Sequence, residues 1–325
     1  LDETGPAAGA GRKGRLLRFE PGAYRAVGVE CEGRFARVGL ADMAGGVQAR
    51  ETIELGDFAR TRDLSPLAAA IRRMCAAANG APVLGVCIGF PANLDPDAAA
   101  IVSYAAMDIQ QPTSFAQVFP AFWREVELPV YLENDANLAC EGEAFLRRGA
   151  GGAANMLYLS IGSGCGGAVR LDGKLRRGAR CRAGEVGAML LQPALGAPGR
   201  SAARETLEDA VCLAALERRF GAALRDGAQP GEASAQAMRD YLCGPLSGAV
   251  YSLVMTLDVE LCVLAGIVPG ALGMQLCTQV SEALRAALPE STPVRVEPSV
   301  SADAGVIGAA ATVFERSLDA LLGSG

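Results

Sequence analysis

Residues 157–173, LYLSIGSGCGGAVRLDG, carry the pattern that decides the fold. Two short apolar runs, LYLSIG and AVRLDG, flank a turn at Ser163-Gly164, and such runs around a glycine turn read as paired strands. The same arrangement stands upstream. AYRAVGVEC (23–31) and RFARVGLAD (34–42) flank a turn at Glu32-Gly33. Asp42 and Asp172, each closing its second strand, are 130 residues apart. A strand–turn–strand opening that recurs in register points to duplicated α/β domains facing each other over a cleft.

The rest of the chain fits that frame. A second bend falls at Ala44-Gly45-Gly46, before VQARETIEL. Pro66–Ala78 reads as a helix, VLGVCIGF (83–90) as a buried strand, and LPVYLEN (128–134) as a strand ending at Asn134-Asp135. Arg204–Phe220, Gln236–Leu257 and Met274–Ala287 read as helices, ELCVLAG (260–266) as a strand, and the chain closes in a helix from about Ala302 to Leu322.

Bulk properties narrow the class. Half of the 325 residues are apolar and 20% are charged, which is ordinary globular composition. The net charge of −6 gives no overall attraction for nucleic acid or an anionic membrane. The apolar stretch Val250–Met274 is interrupted by Asp258, Glu260 and Pro269, so it is not expected to span a membrane. Ten cysteines are scattered without a C-x-x-C pair, and the expected state is free, buried thiols in a reducing cytoplasm. The chain has no histidine, which rules out a histidine-containing zinc site.

Three motifs carry chemistry, and each has a plainer reading. Gly162, Gly164, Gly166 and Gly167 let the backbone approach a phosphate, or merely form a β-turn. Because a strand follows, this is not the dinucleotide fingerprint. Glu133-Asn134-Asp135-Ala136-Asn137 ends an apolar strand, where ligands of α/β sheets gather. Asp135 is placed to take a proton from a hydroxyl and Asn134 to orient it, while Asp135 or Asn137 can equally cap the helix that follows. Gly184-Glu185-Val186-Gly187, with Glu205 and Glu208 on the next helix, offers carboxylates to a polyol, or in the case of Glu205 and Glu208 a solvated helix face.

These three motifs, in this order, resemble the ROK family (repressor, open reading frame, kinase), over about Arg12 to Thr312. VGVECEGRFARVGLAD resembles the family's first phosphate hairpin, and ENDAN its catalytic segment. IGSGCGGAVRLDGKLRRG and AGEVG resemble its second phosphate hairpin and sugar-binding turn. VLAG (263–266) and SADAGVIGAA (301–310) resemble its adenosine-side strand and closing helix. The resemblance implies an α/β, actin-like ATPase fold of two ribonuclease-H-like lobes around a cleft. Residues 21–136 would form one lobe, closed by helix 302–322, and residues 137–301 the other. The implied sugar site is Asn134, Asp135, Glu185 and Glu208, with Asp135 as general base in an active kinase. The implied phosphate and nucleotide contacts are Gly33, Gly162, Gly164, Gly166, Gly167 and Gly266.

The departures bear on function. The family's first hairpin carries an Asp and a Gly-Gly-Thr turn; here stand Glu30, Glu32, Gly33 and Arg34. Glu32 puts a carboxylate where phosphate oxygens would approach, with Arg34 as the candidate to offset it. Ala188 replaces the family's sugar-contacting histidine, Pro91-Ala92 its Pro-Gly turn, and GRSAARETLE (199–208) lacks its zinc cysteines. No zinc is expected, and the segment after Gly187 is expected to be held through Leu207, Val211 and Leu216 on one helix face. Residues 1–20, with basic Arg12, Lys13, Arg15 and Arg18, resemble the wing and linker that join a winged helix-turn-helix to the effector domain in family repressors. DNA would then be met only through a helix-turn-helix upstream of Leu1. The expectation is a cytoplasmic sugar- or sugar-phosphate-sensing effector portion of a regulator, a homodimer or homotetramer. The alternative is a sugar kinase using ATP and Mg²⁺.

Overall fold

The computed structural model describes residues 2–6, 15–149, 152–191, 205–221, 224 and 230–322. Strands β1 (Asp2–Pro6) and β2 (Arg15–Arg18) pair antiparallel as a hairpin that opens the chain. Arg12 and Lys13 of the basic cluster lie outside the described residues.

Strands β3 (Arg25–Glu32), β4 (Phe35–Asp42) and β5 (Val47–Glu54) form an antiparallel meander. Helices α1 (Phe58–Thr61) and α2 (Ser65–Ala77) carry the chain back to β6 (Val83–Phe90), which lies parallel to β3. A small sheet of β7 (Asn93–Asp95), β8 (Ala100–Ser103) and β9 (Thr113–Ser114) follows, then α3 (Phe115–Val118) and α4 (Pro120–Glu125). Strand β10 (Val130–Asn134) completes a five-stranded sheet in the order β10-β6-β3-β4-β5. The inner strand β6 is an almost unbroken apolar run because both faces are covered, whereas the edge strand β5 alternates inward and outward.

Helix α5 (Asp135–Leu146) leads into a second sheet built on the same plan. Strands β11 (Met156–Ile161), β12 (Cys165–Leu171) and β13 (Lys174–Leu175) are antiparallel. Past α6 (Leu207–Val211), α7 (Leu213–Phe220) and α8 (Glu232–Leu257), strand β14 (Leu261–Ala265) returns parallel to β11. After α9 (Ile267–Leu272) and α10 (Met274–Ala287), β15 (Arg295–Pro298) ends a sheet ordered β13-β12-β11-β14-β15. In each sheet a hairpin lies beside two parallel strands, so the duplication read from the hairpins extends to whole sheets.

Helix α11 (Ala304–Leu322) then returns to pack on β3 and β6 of the first sheet and against α5. The two helices meet at glycines. A β-carbon on Gly142 would stand 1.8 Å from the Ala304 carbonyl oxygen, and one on Gly308 would stand 1.9 Å from that of Leu138. Only hydrogen fits at such a backbone-to-backbone approach. The start of α11 is tied to α5 by buried Glu143, which accepts from Arg147 Nε at 2.9 Å, from Val300 N at 3.0 Å and from the Ser299 hydroxyl.

The expected helix 204–220 is two helices. Residues 192–204 lie outside the described region, and Glu205 precedes the N-cap, Thr206, which forms a capping box with Asp209. The helix then breaks at Cys212, whose ψ of 163° is extended, and Leu213 N donates to the Gly162 carbonyl at 2.9 Å. Leu207, Val211 and Leu216 all join the second core, but from α6 and α7, not from one helix face.

Among the described residues no helix is long and apolar enough to cross a membrane.

Candidate functional site

The site lies where β10 ends and α5 begins. Asn134 is the N-cap of α5: its backbone is extended (φ −63°, ψ 143°) and its Oδ1 accepts from Asn137 N at 3.1 Å. The cap expected at Asp135 or Asn137 thus sits one or three residues earlier, because only Asn134 precedes the first helical residue. The Asn134 amide donates to the Ala92 carbonyl at 3.3 Å. Asp135 opens the helix, and its Oδ1 accepts from Ala136 N at 2.9 Å. Asn137 faces inward and donates to Glu133 Oε1 at 2.9 Å, while its own Oδ1 is buried without a partner. Glu133 is buried and also accepts from Arg177 Nε at 2.6 Å.

Asn134, Asp135, Ala136 and Asn137 form one wall of a pocket. Gly166 and Gly167 on β12 form a second, and Cys181 and Ala183–Glu185 a third, with Asn93 closing the space of about 350 Å³ that includes its open mouth. Asn93 was not foreseen. With its amide set to satisfy both ends, it donates to Glu185 Oε1 at 2.7 Å and to the Cys181 carbonyl at 3.2 Å, and it accepts from Ser103 Oγ at 3.0 Å. Its place is set by the aromatic cluster of Phe90 with Phe58, Tyr104, Phe115 and Phe119, which anchors the end of β6 just before Pro91.

The first hairpin turns carboxylates toward this cleft. Glu30 lies directly opposite Arg37 in the β3–β4 register and accepts from its Nε at 3.1 Å; Glu32 accepts from the same guanidinium at 3.4 Å. Arg34, the expected counter-charge for Glu32, instead pairs with Glu54 at 3.1 Å on the exposed face. Side chains alternate along a strand, so Arg37, opposite Glu30, reaches the face that Glu30 and Glu32 share. Gly33 takes the turn with φ +58° and lines a separate hollow with Arg34, Gly56, Asp57, Phe58, Ala59 and Tyr104.

Glu32 reaches the second hairpin. A β-carbon on Gly162 would be 3.3 Å from Glu32 Oε1. Glu208, from α6, takes the backbone N–H of Cys165 at 2.8 Å, and its Oε2 would be 2.8 Å from a β-carbon on Gly164. Gly266 packs against the Ile161 backbone beside the same loop. The structure therefore groups Asn134, Asp135, Glu185, Gly166 and Gly167 in the pocket, and Gly162, Gly164, Glu208 and Gly266 around the loop, with Gly33 at the far end of the first hairpin. Glu205 is exposed, ahead of the α6 cap.

The carboxylates act on one another. Burial pushes Asp135 up to about 6, helped by Glu32 and Glu185 and opposed by the Ala136 N–H. Burial likewise raises Glu30 to about 7 against the pull of Arg37, with Glu32 and Asp135 adding. Glu185 is raised first by burial; Arg182 opposes this and Glu208 adds to it.

The resident groups implied by the family can be tested against these residues. A zinc cluster does not fit: the chain has no histidine, GRSAARETLE supplies no cysteine, and residues 199–204 of that stretch lie outside the described region. Nucleotide phosphates approaching the loop would meet two carboxylates, Glu208 on the Cys165 N–H and Glu32 beside Gly162.

Two sheets of one topology around a carboxylate-lined cleft define an actin-like ATPase fold. The chain belongs to the ROK family, whose model matches residues 26–316. Over 141 residues it is 34% identical to the glucokinase of Halalkalibacterium halodurans, covering 41% of this chain and 40% of that one. It is 33% identical over 105 residues to the xylose repressor of Caldicellulosiruptor bescii, covering 32% of this chain and 25% of that protein. The chain thus spans less than half the length of these relatives. The ROK hexokinase of Thermus thermophilus superposes with a TM-score of 0.69 at 26% identity, over 91% of this chain and 99% of the hexokinase. A ROK-family transcriptional regulator, a homologue of the E. coli MLC protein, superposes at 0.74 with 17% identity, over 95% of this chain and 82% of that chain.

Proposed function

We propose that this chain is the sugar-sensing effector portion of a ROK-family transcriptional regulator and does not phosphorylate its ligand. The observation that carries the reading is the state of the glycine loop. Phosphoryl transfer rests on positioning and neutralising the transferred group. Here the loop's Cys165 N–H is held by Glu208, and Glu32 stands against Gly162, so the chain's own carboxylates occupy the anion-binding face. The pocket of Asn134, Asp135 and Glu185 is meanwhile retained for a hydroxylated ligand. The likeness to a xylose repressor and the hairpin of β1 and β2 ahead of the first sheet support the same reading. A ligand that alters the angle between the lobes would reposition DNA-binding units upstream of Leu1 in a dimer.

Asp135 favours a second reading, a sugar kinase. It sits at the pocket floor, pushed up to about 6, suited to take a hydroxyl proton. One pair of measurements decides: thermal shift against hexoses, N-acetylated hexosamines and their phosphates, and ADP release with the same panel. The regulator reading expects a raised melting temperature with background ADP release. A turnover of roughly 1–100 per second, abolished in Asp135→Asn, overturns it.

A further inference from the structure

The solvent-facing side of α8 is built like an interior. From Tyr241 to Leu257 the helix carries no charged residue, yet Gly244, Gly248, Tyr251, Ser252, Met255 and Thr256 are exposed. Their spacing places them on one face. Other helices put charges on that side, Arg72 and Arg73 on α2 and Glu282 and Arg285 on α10. A helix that is hydrophobic all round is ordinarily covered all round. Two details sharpen the contrast. Among the described residues, β-carbons on Gly244 and Gly248 would meet nothing within 4 Å, whereas those on Gly142 and Gly308 would meet the backbone of another segment. Glycine is a poor helix former, and no contact among the described residues requires it at 244 or 248. The hydroxyls here turn back on the helix: Ser247 donates to the Cys243 carbonyl at 2.6 Å, Ser252 to that of Gly248 at 2.9 Å and Thr256 to that of Ser252 at 2.6 Å. Covering the face therefore strands no hydroxyl proton.

We propose that this face of α8 is the contact between two copies of the chain, packed antiparallel about a two-fold axis. Its large and small positions match as such a pairing needs. An axis at the height of Ala249 and Val250 sets Tyr251 of each copy against Gly248 of the other, and Met255 against Gly244. Each large side chain then enters a gap that a glycine leaves open. The same register sets Ser252 against Ser247. Charge also favours this surface. Each copy carries −6, which opposes association through charged faces, and the neutral stretch avoids that repulsion. Asp240 and Asp258, which bound the stretch, lie roughly 13 Å along the helix from the axis, where two crossing helices have diverged. The contact does not depend on what the pocket binds, because none of the residues lining the pocket takes part.

The test uses the wild-type chain and two substitutions. Sedimentation equilibrium at micromolar concentration is expected to give twice the mass of one chain. Gly248→Glu and Met255→Glu are each expected to raise the dissociation constant about a hundred-fold or more by setting like charges across the axis, with the circular dichroism kept. Peroxide oxidation of the wild type, read by mass spectrometry, needs no variant. Met255 and Met274 are similarly exposed in one chain, at 51% and 58%. At dimer concentrations Met255 is expected to oxidise about ten-fold or more slowly than Met274, and at a similar rate on dilution to single chains. A wild type that sediments as one chain overturns the inference. So does a dimer in which Met255 oxidises as fast as Met274, or one that both folded variants leave intact, since the contact would then lie on another face.

Discussion

Glu32 Oε1 lies 3.3 Å from where a β-carbon on Gly162 would stand, so a carboxylate of the first hairpin faces the glycine loop of the second. Two like charges about 4 Å apart repel by roughly 4 kcal/mol at an effective dielectric of 20. The Glu32 side chain is 42% exposed and shares Arg37 with Glu30, so screening reduces the effect to about 1–2 kcal/mol. Glu32→Gly is therefore expected to raise ATP affinity about five- to thirty-fold, measured by titration calorimetry. Arg34→Thr alone is expected to change nothing, because Arg34 pairs with Glu54 on the outer face. Unchanged affinity in Glu32→Gly would assign the weak nucleotide site to Glu208 or to another origin.

Asp135 makes a second, independent demand on stability. Its carboxyl is raised from 3.8 to about 6 in the folded chain, so between about pH 4 and pH 6 the folded state holds a proton that the unfolded state has released. The stability associated with Asp135 is thus fully present below about pH 4 and is lost as pH rises through about 6. Asp135→Asn keeps the oxygen that accepts from Ala136 N and removes the charge. It is expected to be more stable than wild type by roughly 1–2 kcal/mol at pH 7.5, discounted for partial exposure, and equal to it near pH 4. Paired thermal melts across that range check this. A variant less stable than wild type at pH 7.5 would contradict the burial of a like-charged carboxylate here.

Legibility in the sequence followed the range of the forces involved. Both hairpins, β6, β10 and α10 were readable because local apolar runs end at glycine or Asx turns. The Glu30–Arg37 pair was also accessible in principle: a two-residue turn at Gly33-Arg34 makes them directly opposed. The choice of cap among Asn134, Asp135 and Asn137 was not, since all three side chains cap well and only the backbone angles decide. Nor was the break at Cys212, where no proline or glycine marks the stop and the Leu213–Gly162 contact imposes it. Asn93 sits on a three-residue strand whose pairing with β8 is tertiary, and its neighbours in sequence give no sign of the pocket.

The seam between α5 and α11 opposes helix propensity with packing. Alanine is favoured over glycine in a helix interior by about 1 kcal/mol. At Gly308, however, the added carbon would stand 1.9 Å from the Leu138 carbonyl oxygen, and backbone cannot rotate away as a side chain can. Gly308→Ala is expected to destabilise by about 3 kcal/mol or more and to lower the melting temperature by roughly 6–12 °C. Gly142→Ala, at 1.8 Å from the Ala304 oxygen, should behave alike. A rise in melting temperature for either would mean that the two helices do not cross where the glycines stand.

Ligand binding should separate three carboxylates that look alike in sequence. Asp135 lines the pocket floor and Glu185 its rim, where Asn93 donates to it at 2.7 Å. Glu205 is exposed and precedes the α6 cap, and its backbone oxygen accepts from Leu191 N at 3.0 Å. Removing a partner from a buried polar contact costs about 1–3 kcal/mol, or roughly ten- to a hundred-fold in affinity. For whichever sugar raises the melting temperature most, Asp135→Ala and Glu185→Ala are expected to weaken binding by that factor, with Asp135 the larger because it is deeper. Glu205→Ala should bind within about two-fold of wild type. Titration of the three variants, each first shown to melt cooperatively, gives the comparison. Equal affinity in Asp135→Ala and wild type would move the ligand out of this pocket, and a large loss in Glu205→Ala would place it instead against the start of α6.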